Sequence, residues 1–414
     1  MTESAPPAAR RRRRPPPPAL VWARWIAGRL LDTRAWRPAR AGLVWSQRPW
    51  ARSARPTEAL AVHARAAAEW LARAQDATGD GGLATLYALD RGWASSYPET
   101  TGYAIPTFLT LARAFDAPEW MERARAAVRF LAGVQLESGA FPAGEVAVNR
   151  SAPSVFNTAQ ILGGLTAWAR ATGDTDARAR AARAAAWLRE VQEPDGAWHR
   201  HTYGSLVTTY TSHASCWLAE WGVYADERAS LDAAGRHLDW VLARRRPNGW
   251  FEQAGFSAAQ NSAGIAVTHT LAYTIAGVAR LGRALGRPEA VAAAQGSAEA
   301  VARVLEAEGW LPGLLDREWT PRAKYACLTG NAQMALVWLD VFRSTGAERW
   351  RAAARKALVQ VQQAQTLDAA EPGLRGGIPG SDPIWGGYMY CSFPNWAAKF
   401  FIDACLGLEE AETR

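Results

Sequence analysis

The chain has 414 residues and a formal net charge of +8, and its 49% hydrophobic and 21% charged residues are the balance of an ordinary globular protein. The charge is uneven, because residues 1–56 hold thirteen arginines against Glu3 and Asp32, which makes this arm +11 and the rest of the chain −3. A slightly acidic body excludes a nucleic-acid-binding fold, since phosphate binding needs a basic face on the fold itself.

The N-terminal arm, residues 1–56, begins with an arginine run over 10–14 and a proline run over 15–18, a composition that forms no ordered core. The apolar stretch that follows, over 19–31, places tryptophan and aliphatic side chains on one helical face beside arginines. Such a basic amphipathic helix suits an anionic membrane surface, and the alternative is a disordered tail with a helix packed on the main domain. Arg24 and Arg29 interrupt the apolar stretch, so it is a poor export signal.

Four cysteines, at 216, 327, 391 and 405, show no CxxC spacing and lie in apolar or aromatic surroundings. They are typical of reduced core residues in a cytosolic protein. No apolar run reaches the ~20 residues that a membrane span needs. We therefore expect a cytoplasmic protein, with peripheral attachment to the inner membrane through the arm as the alternative.

From residue 57 onward the chain repeats a helix that ends near a glutamine, followed by a glycine turn and an aromatic residue. The clearest copies begin at Gln75, Gln135 and Gln192. The glycines of the six copies, at 82, 139, 196, 249, 309 and 376, are separated by 57, 57, 53, 60 and 67 residues. A nearly fixed period of this length indicates a repeat architecture.

Each repeat contains an amphipathic helix and a helix that is apolar nearly all round, which predicts one outer and one inner helix. The outer helices are predicted over 57–77, 117–136, 174–193, 226–246, 287–308 and 347–366. The inner helices are predicted over 99–115, 155–171, 209–222, 267–285, 328–345 and 394–409. Six alternating pairs predict an all-α (α/α)6 toroid over residues 57–414, with almost no strand.

The connections between the helices are unequal: inner-to-outer links are short, whereas outer-to-inner links are long and rich in Gly, Pro, Trp and Tyr. Long loops without structure of their own are usually functional. They must share one face of the ring, because every inner helix starts there. The six helix N-termini on that face favour anions through their unpaired N–H groups.

Polar side chains stand at the first turns of the inner helices and in the long loops. The candidate catalytic residues are Glu99, Tyr210, His213, His269 and Asp382. The candidate substrate-binding residues are Tyr103, Asn157, Gln160, Tyr273, Arg322, Lys324, Asn331, Gln333, Trp385, Asn395 and Lys399. Helix capping and buried, hydrogen-bonded histidines are the structural alternative. The recurrence of His, Tyr and Gln at one rim favours a ligand site, because capping alone does not require those residues.

The Gln-x(3)-Gly-x-Trp-like repeats resemble those of the terpenoid cyclase and protein prenyltransferase toroid superfamily, over residues 57–414. The chain has no Asp-x-Asp-Asp acid motif of the squalene and hopene cyclases. Cys327 and Cys391 have no histidine at the place that zinc in a prenyltransferase requires, so we expect no metal and no cofactor. The segments 98–106, 327–333 and 393–400 also look like toroid proteins of bacterial polysaccharide biosynthesis.

The rim rich in tyrosine, histidine and asparagine is more similar to toroids that act on polysaccharides, namely uronate lyases, unsaturated-glucuronyl hydrolases and sugar epimerases. This resemblance implies a carbohydrate-active enzyme whose substrate is an acidic glycan or a glycan-lipid. In a lyase or epimerase, Tyr210 or His213 would remove a proton beside a uronate carboxylate that Asn157 or Asn331 neutralises.

In a hydrolase, Glu99 would be the acid and Asp382 or Asp316 its partner. Two other classes of function remain open. One is a terpenoid- or prenyl-binding toroid, whose aromatic funnel shelters an isoprenoid. The other is a non-catalytic, glycan-binding scaffold, in which the polar groups of the rim satisfy one another and leave no convergent site.

Overall fold

The structure is a computed structural model that describes residues 58–413, together with residues 17, 19, 20, 23 and 24. The arm predicted over residues 1–56 therefore lies almost entirely outside the described residues, and so does the amphipathic helix proposed within it. In the described part of the chain, no helix is long and apolar enough to cross a membrane.

Six outer and six inner helices alternate along residues 58–413, which confirms the predicted (α/α)6 toroid. The outer helices are α1 (Leu60–Asp76), α3 (Glu119–Val134), α5 (Thr175–Glu190), α7 (Arg228–Leu242), α10 (Pro288–Glu308) and α12 (Glu348–Ala364). The inner helices are α2 (Pro98–Ala114), α4 (Val155–Thr172), α6 (Ser212–Ala225), α9 (Thr268–Ala284), α11 (Leu328–Thr345) and α13 (Asn395–Thr413). Each inner helix packs against the next one around the ring, and α13 also packs against α1 and α2.

The long loops contain short elements that the sequence pattern did not predict. They are helix α8 (Ala258–Ala263) and strands β1 (Leu86–Ala88), β2 (Gly92–Trp93), β3 (Ile265–Val267), β4 (Leu314–Asp316), β5 (Ala326–Cys327), β6 (Ser381–Asp382) and β7 (Ser392–Pro394). The strands pair antiparallel in the orders β2-β1-β7, β3-β4 and β5-β6. Strands of two or three residues are too short to show the alternation that identifies a strand in a sequence. They tie the loops of different repeats together on one face.

The repeated glutamine joins neighbouring outer helices. The Nε2 atom of Gln135 donates to the carbonyl of Gly139 in its own turn and to the carbonyl of Arg180 on the next outer helix, both at 3.0 Å. Gln75 and Gln192 make the equivalent pairs of bonds. The turn needs glycine, because Gly139 has φ +92° and an added Cβ would lie 2.6 Å from the carbonyl oxygen of Arg183.

Two details of the repeat differ from the sequence prediction. In the first copy the glycine bound by Gln75 is Gly81 rather than Gly82, because that turn is longer. The third inner helix begins at Ser212 rather than at 209, since a 3₁₀ turn occupies Thr209–Thr211.

The aromatic residues that follow the glycine are core residues, as Trp198 and Trp250 show by their burial.

The ring is closed by the same glutamine contact. Gln365, at the end of α12, donates from Nε2 to the carbonyls of His63 and Gly376 at 3.1 and 2.8 Å. The His63 Nδ1 atom lies 2.6 Å from the Oε1 atom of Gln365. Beside them, Asn395 Nδ2 donates to the carbonyl of Ala84 at 2.9 Å, which joins the start of α13 to the first repeat.

We predict that Gln365→Leu lowers the free energy of unfolding by about 2–4 kcal/mol, because the buried carbonyls of His63 and Gly376 lose their donor. Urea unfolding monitored by circular dichroism measures the change. The control is Gln363→Leu, a change of the same kind at a half-buried position on the same helix. Equal effects of the two substitutions would show that the Gln365 contact does not hold the ring closed.

Candidate functional site

The starts of the inner helices bring a group of tyrosine, histidine and acidic side chains together at the centre of the ring. Each of these side chains is buried or half-buried. We call this group the central cluster; it consists of Tyr97, Glu99, Tyr103, Tyr210, His213, His269 and Tyr273. Five of the seven come from the first two turns of α2, α6 and α9, and the other two come from the residues just before α2 and α6.

Tyr273 lies in the middle of the central cluster. The rings of His213 and His269 each lie 4.4 Å from its ring, centroid to centroid. Phe156 and Phe400 contact it at 5.4 and 5.9 Å. Two imidazoles therefore flank one phenol between apolar walls.

Glu99 is the carboxyl group of this cluster. Its side chain is 9% exposed, and the hydroxyl of Tyr97 donates to its Oε2 atom at 2.7 Å. Burial raises the pKa of Glu99 to about 7, and the hydrogen bond from Tyr97 opposes that rise only partly. A carboxyl with such a pKa is half protonated near neutral pH and serves as a proton donor.

The amide of Gln160 fixes the tautomer of His213. Its Oε1 atom accepts a hydrogen bond from the indole Nε1 of Trp217 at 2.8 Å, and an indole can only donate. The amide nitrogen of Gln160 therefore faces His213 Nδ1, at 2.9 Å, and donates to it. Burial lowers the pKa of His213 well below its usual value, so the ring is neutral and carries its proton on Nε2.

His269 has the opposite tautomer. Its Nδ1 atom lies 2.7 Å from the Oε1 atom of Gln333, which accepts the Nδ1 proton. Burial lowers the pKa of His269 to about 4, so at neutral pH its Nε2 atom carries a lone pair. Of the two histidines, His269 is arranged to accept a proton and His213 to donate a hydrogen bond.

The tyrosines of the cluster are hydrogen-bond donors rather than bases. Burial raises the pKa of Tyr210, and the charge of Glu99 adds to the rise. The pKa values of Tyr97, Tyr103 and Tyr273 are raised well above the usual value for the same two reasons. Tyr210, which the sequence suggests together with His213 as a possible base, therefore keeps its proton at neutral pH.

An aromatic cap covers the central cluster on the side of the long loops. It consists of Phe156, Phe256 and Tyr388, of which Phe256 and Tyr388 stack at 6.4 Å. Both of these rings also lie against His269, at 5.8 and 5.3 Å. Phe256 is not among the residues predicted from the sequence, because it lies in a long loop with no periodic signal.

The remaining predicted residues lie in several places. Lys399 lies next to the cluster and pairs with Asp403 at 2.6 Å. Asn157 donates to the carbonyl of Pro142 at 3.0 Å and also hydrogen-bonds Tyr97. Asn395 takes part in the ring closure described above.

Asn331 turns away from the centre, because its Nδ2 atom donates to Gln360 on the outer helix α12 at 2.6 Å. Arg322 pairs with Asp316 on β4, and the amides of Glu318 and Thr320 donate to the other oxygen of that carboxylate.

Three more predicted residues lie in the long loops, outside the central cluster. Lys324 is exposed and Trp385 is half-buried. Asp382 lies on β6, in register with Ala326. The causes of the raised pKa of Glu99 are burial and, in the opposite direction, the hydrogen bond from Tyr97.

A cavity of about 360 Å³ adjoins the central cluster, lined on that side by Tyr103, His213, Tyr273, Gln333 and Lys399. This volume is within the range of sites for small ligands. Within residues 58–413, no group of three or more His, Cys, Asp and Glu side chains is arranged to hold a metal ion. The four cysteines are buried and free.

Comparison with known proteins supports the fold. Residues 100–276 match the family profile of the squalene-hopene cyclase C-terminal domain. No curated protein matches the sequence significantly. The solved structures that are similar to this chain include an unsaturated glucuronyl hydrolase specific for heparin. Its TM-score is 0.68 and its sequence identity is 14%, over 86% of this chain and 98% of the hydrolase.

Two further structures have the same architecture. The unsaturated glucuronyl hydrolase from Bacillus sp. GL1 has a TM-score of 0.67 and 15% identity, over 85% of this chain and 97% of its own. The cellobiose 2-epimerase from Bacillus thermoamylovorans B4167 has a TM-score of 0.65 and 12% identity, over 81% of this chain and 95% of its own. These similarities confirm the toroid that the repeats predicted.

We predict that Glu99 makes the protein less stable as pH rises. Its pKa is about 7 in the folded protein against 4.5 as the reference value, so the folded state binds the proton more tightly. The stabilisation that this bound proton gives the folded state is complete below pH 4.5 and is lost between about pH 4.5 and 7. Over that range the equilibrium constant for unfolding rises by up to about tenfold per pH unit.

Urea unfolding of wild type and Glu99→Gln at pH 5 and pH 8 measures this dependence, and the variant should lack it. Glu137→Gln, at an exposed loop position, is the matched control and should behave as the wild type does. An unchanged pH dependence in Glu99→Gln would mean that Glu99 titrates as it does in water.

Proposed function

We propose that this protein is a carbohydrate-active enzyme that transfers protons to and from a sugar bound at the central cluster. The observation that carries the proposal is the buried Glu99, with a pKa of about 7, beside two neutral histidines of opposite tautomer. General acid–base catalysis needs such a pair, one group that holds a proton and one that accepts it near the working pH.

Each group has a stated role in this proposal. His269 Nε2 removes a proton from a carbon beside a carbonyl or carboxyl group, and Glu99 donates a proton to the oxygen that becomes negative. His213 Nε2–H and the hydroxyl of Tyr273 donate hydrogen bonds to that oxygen. A protonated Glu99 does not repel a substrate carboxylate, which is compatible with an acidic sugar.

Within the described residues, Glu99 has no second carboxylate of the cluster as a partner. Asp316 is occupied by Arg322 and by backbone amides, and Asp382 lies on β6 in a long loop. A glycosidase that uses two carboxylates is therefore less well supported than a lyase or an epimerase, or than a hydrolase that needs one acid. The names of the similar structures, a glucuronyl hydrolase and a sugar 2-epimerase, fall within the same range of chemistry.

We predict turnover of at least one of three substrates, namely the unsaturated glucuronyl disaccharide of heparin, a uronate oligosaccharide and cellobiose. Chromatography of the products measures it. Glu99→Gln and His269→Gln should each lower kcat/KM by about 10²–10⁴-fold, the usual contribution of general acid–base catalysis. His199→Gln and Glu137→Gln replace exposed residues of the loop face and should change nothing.

Turnover that is unaffected by Glu99→Gln and His269→Gln, or the absence of turnover with all three substrates, would contradict the proposal.

The pH dependence of kcat/KM should be a bell, because the reaction needs neutral His269 and protonated Glu99. The rate should rise through about pH 4, the pKa of His269, and fall through about pH 7, the pKa of Glu99. Tyr97→Phe removes a hydrogen bond that lowers the pKa of Glu99, so the alkaline limb should move to higher pH. An alkaline limb that stays in place would exclude Glu99 as the acid.

A second candidate is an enzyme that protonates an isoprenoid. The aromatic walls around an acid favour it, and so does the match of residues 100–276 to the squalene-hopene cyclase domain. Such an enzyme would need Glu99 but not the basic Nε2 of His269. Turnover of squalene that survives His269→Gln would support this candidate and contradict the first.

A further inference from the structure

The cavity beside the central cluster continues along the ring axis towards the C-terminal ends of the inner helices. One stripe of α9 lines it, formed by Tyr273, Ala276, Arg280 and Arg283, which are spaced three or four residues apart and so share a helix face. The ten residue steps from Tyr273 to Arg283 correspond to about 15 Å at the helical rise of about 1.5 Å per residue. We call this extension the axial passage.

The far end of the axial passage reaches solvent. There the side chains of Arg283, Asp340 and Arg343 are 44%, 38% and 38% exposed. Ser344, also in the lining, is exposed at the end of α11. One cavity thus touches both exposed residues at the end of the ring and three residues of the central cluster, Tyr103, His213 and Tyr273.

The opposite end of the central cluster is covered by the aromatic cap. The loop that carries Phe256 is held in place, because the amides of Gly255 and Phe256 both donate at 2.7 Å to the side chains of Asn261 and Gln260. The aromatic cap therefore lies between the central cluster and the long-loop face, which the sequence predicts as the ligand face.

The middle of the axial passage is apolar, lined by Pro106, Ile275, Ala276, Ala279, Leu336 and Val337.

Three of the cations that line the axial passage are paired, so they neither attract an ion strongly nor repel an apolar chain. Arg283 pairs with Asp340 at 2.7 Å and Lys399 with Asp403 at 2.6 Å. Arg280 Nε donates to Glu220 at 3.0 Å. A passage of this composition stabilises hydrocarbon by removing it from water, about 0.8 kcal/mol or fourfold in affinity per methylene.

We infer that the ligand enters the axial passage from the end of the ring opposite the long loops, and that it is a glycoside with an apolar segment next to its sugar. The sugar occupies the central cluster, and the apolar segment lies against α9 and α11. The identity of the sugar rests on the proposed function, whereas the route and the apolar segment rest on the cavity alone.

Cysteine labelling tests the route without any turnover. Ala276→Cys places a thiol halfway along the axial passage, and methyl methanethiosulfonate, a small uncharged reagent, should label it at least tenfold faster than the four buried cysteines of the wild type. Adding Ser344→Trp at the exposed end should slow the labelling at least tenfold. Adding Val148→Trp, at a position 82% exposed on the long-loop face, should not change it.

Protection from labelling tests the class of ligand. Octyl β-D-glucoside, kept below the concentration at which it forms micelles, should protect Ala276→Cys at a far lower concentration than methyl β-D-glucoside does. Each of the first few added methylenes should increase the affinity about fourfold. Ala279→Cys, which also lines the cavity, replaces Ala276→Cys if that variant does not fold.

Labelling of both cysteine variants no faster than wild type would show that the axial passage is closed. Slowing by Val148→Trp but not by Ser344→Trp would place the entrance at the long loops. Equal protection by the octyl and methyl glycosides would exclude the apolar segment. Each of these results would overturn the inference. The catalytic roles of Glu99 and His269 are tested separately, by the turnover of the Glu99→Gln and His269→Gln variants.

Discussion

Closure of the ring is the constraint on which the candidate site depends. Gln365 joins the last outer helix to His63 on the first one, and the β1–β7 pairing joins the loops on either side of the closure. Because the ring is closed, the six inner helices start on the same face and converge on one axis. Residues as distant in sequence as Glu99 and His269 thereby come to surround Tyr273.

Burial at that axis determines the chemistry of the site. A carboxyl group, two imidazoles and four phenols are withdrawn from water, and burial disfavours the charged form of each. Burial makes Glu99 hold its proton and the histidines lose theirs. The amides of Gln160 and Gln333 then direct the remaining protons, so two histidines of the same kind have different roles.

The sequence predicted the toroid and the bounds of its helices, because amphipathic and apolar helices alternate at a nearly fixed period. It also predicted Glu99, His213 and His269 as candidate site residues, since each lies in the first turn of an inner helix. It did not separate residues that face the axis from those that face the outer ring. Asn331 and Gln333 are two positions apart on α11, about 200° around the helix, and they point to Gln360 and to His269 respectively.

The sequence pattern did not predict two other features of the structure. The strands in the loops are formed by pairing between distant segments, such as β5 with β6, and short segments show no periodic signal. The packing of the loop aromatics Phe256 and Tyr388 against His269 also joins distant segments, which a sequence pattern cannot bring together.

The account depends most directly on Glu99 titrating near pH 7 within this ring, so that about half of it is protonated at neutral pH. Carbon NMR of protein labelled with ¹³C at the glutamate carboxyl measures the titration directly, and the spectrum of Glu99→Gln assigns the signal by its loss. The account predicts that the Glu99 signal titrates near pH 7, and near a higher pH in Tyr97→Phe. Titration close to 4.5, the reference value for an exposed glutamate, would contradict it.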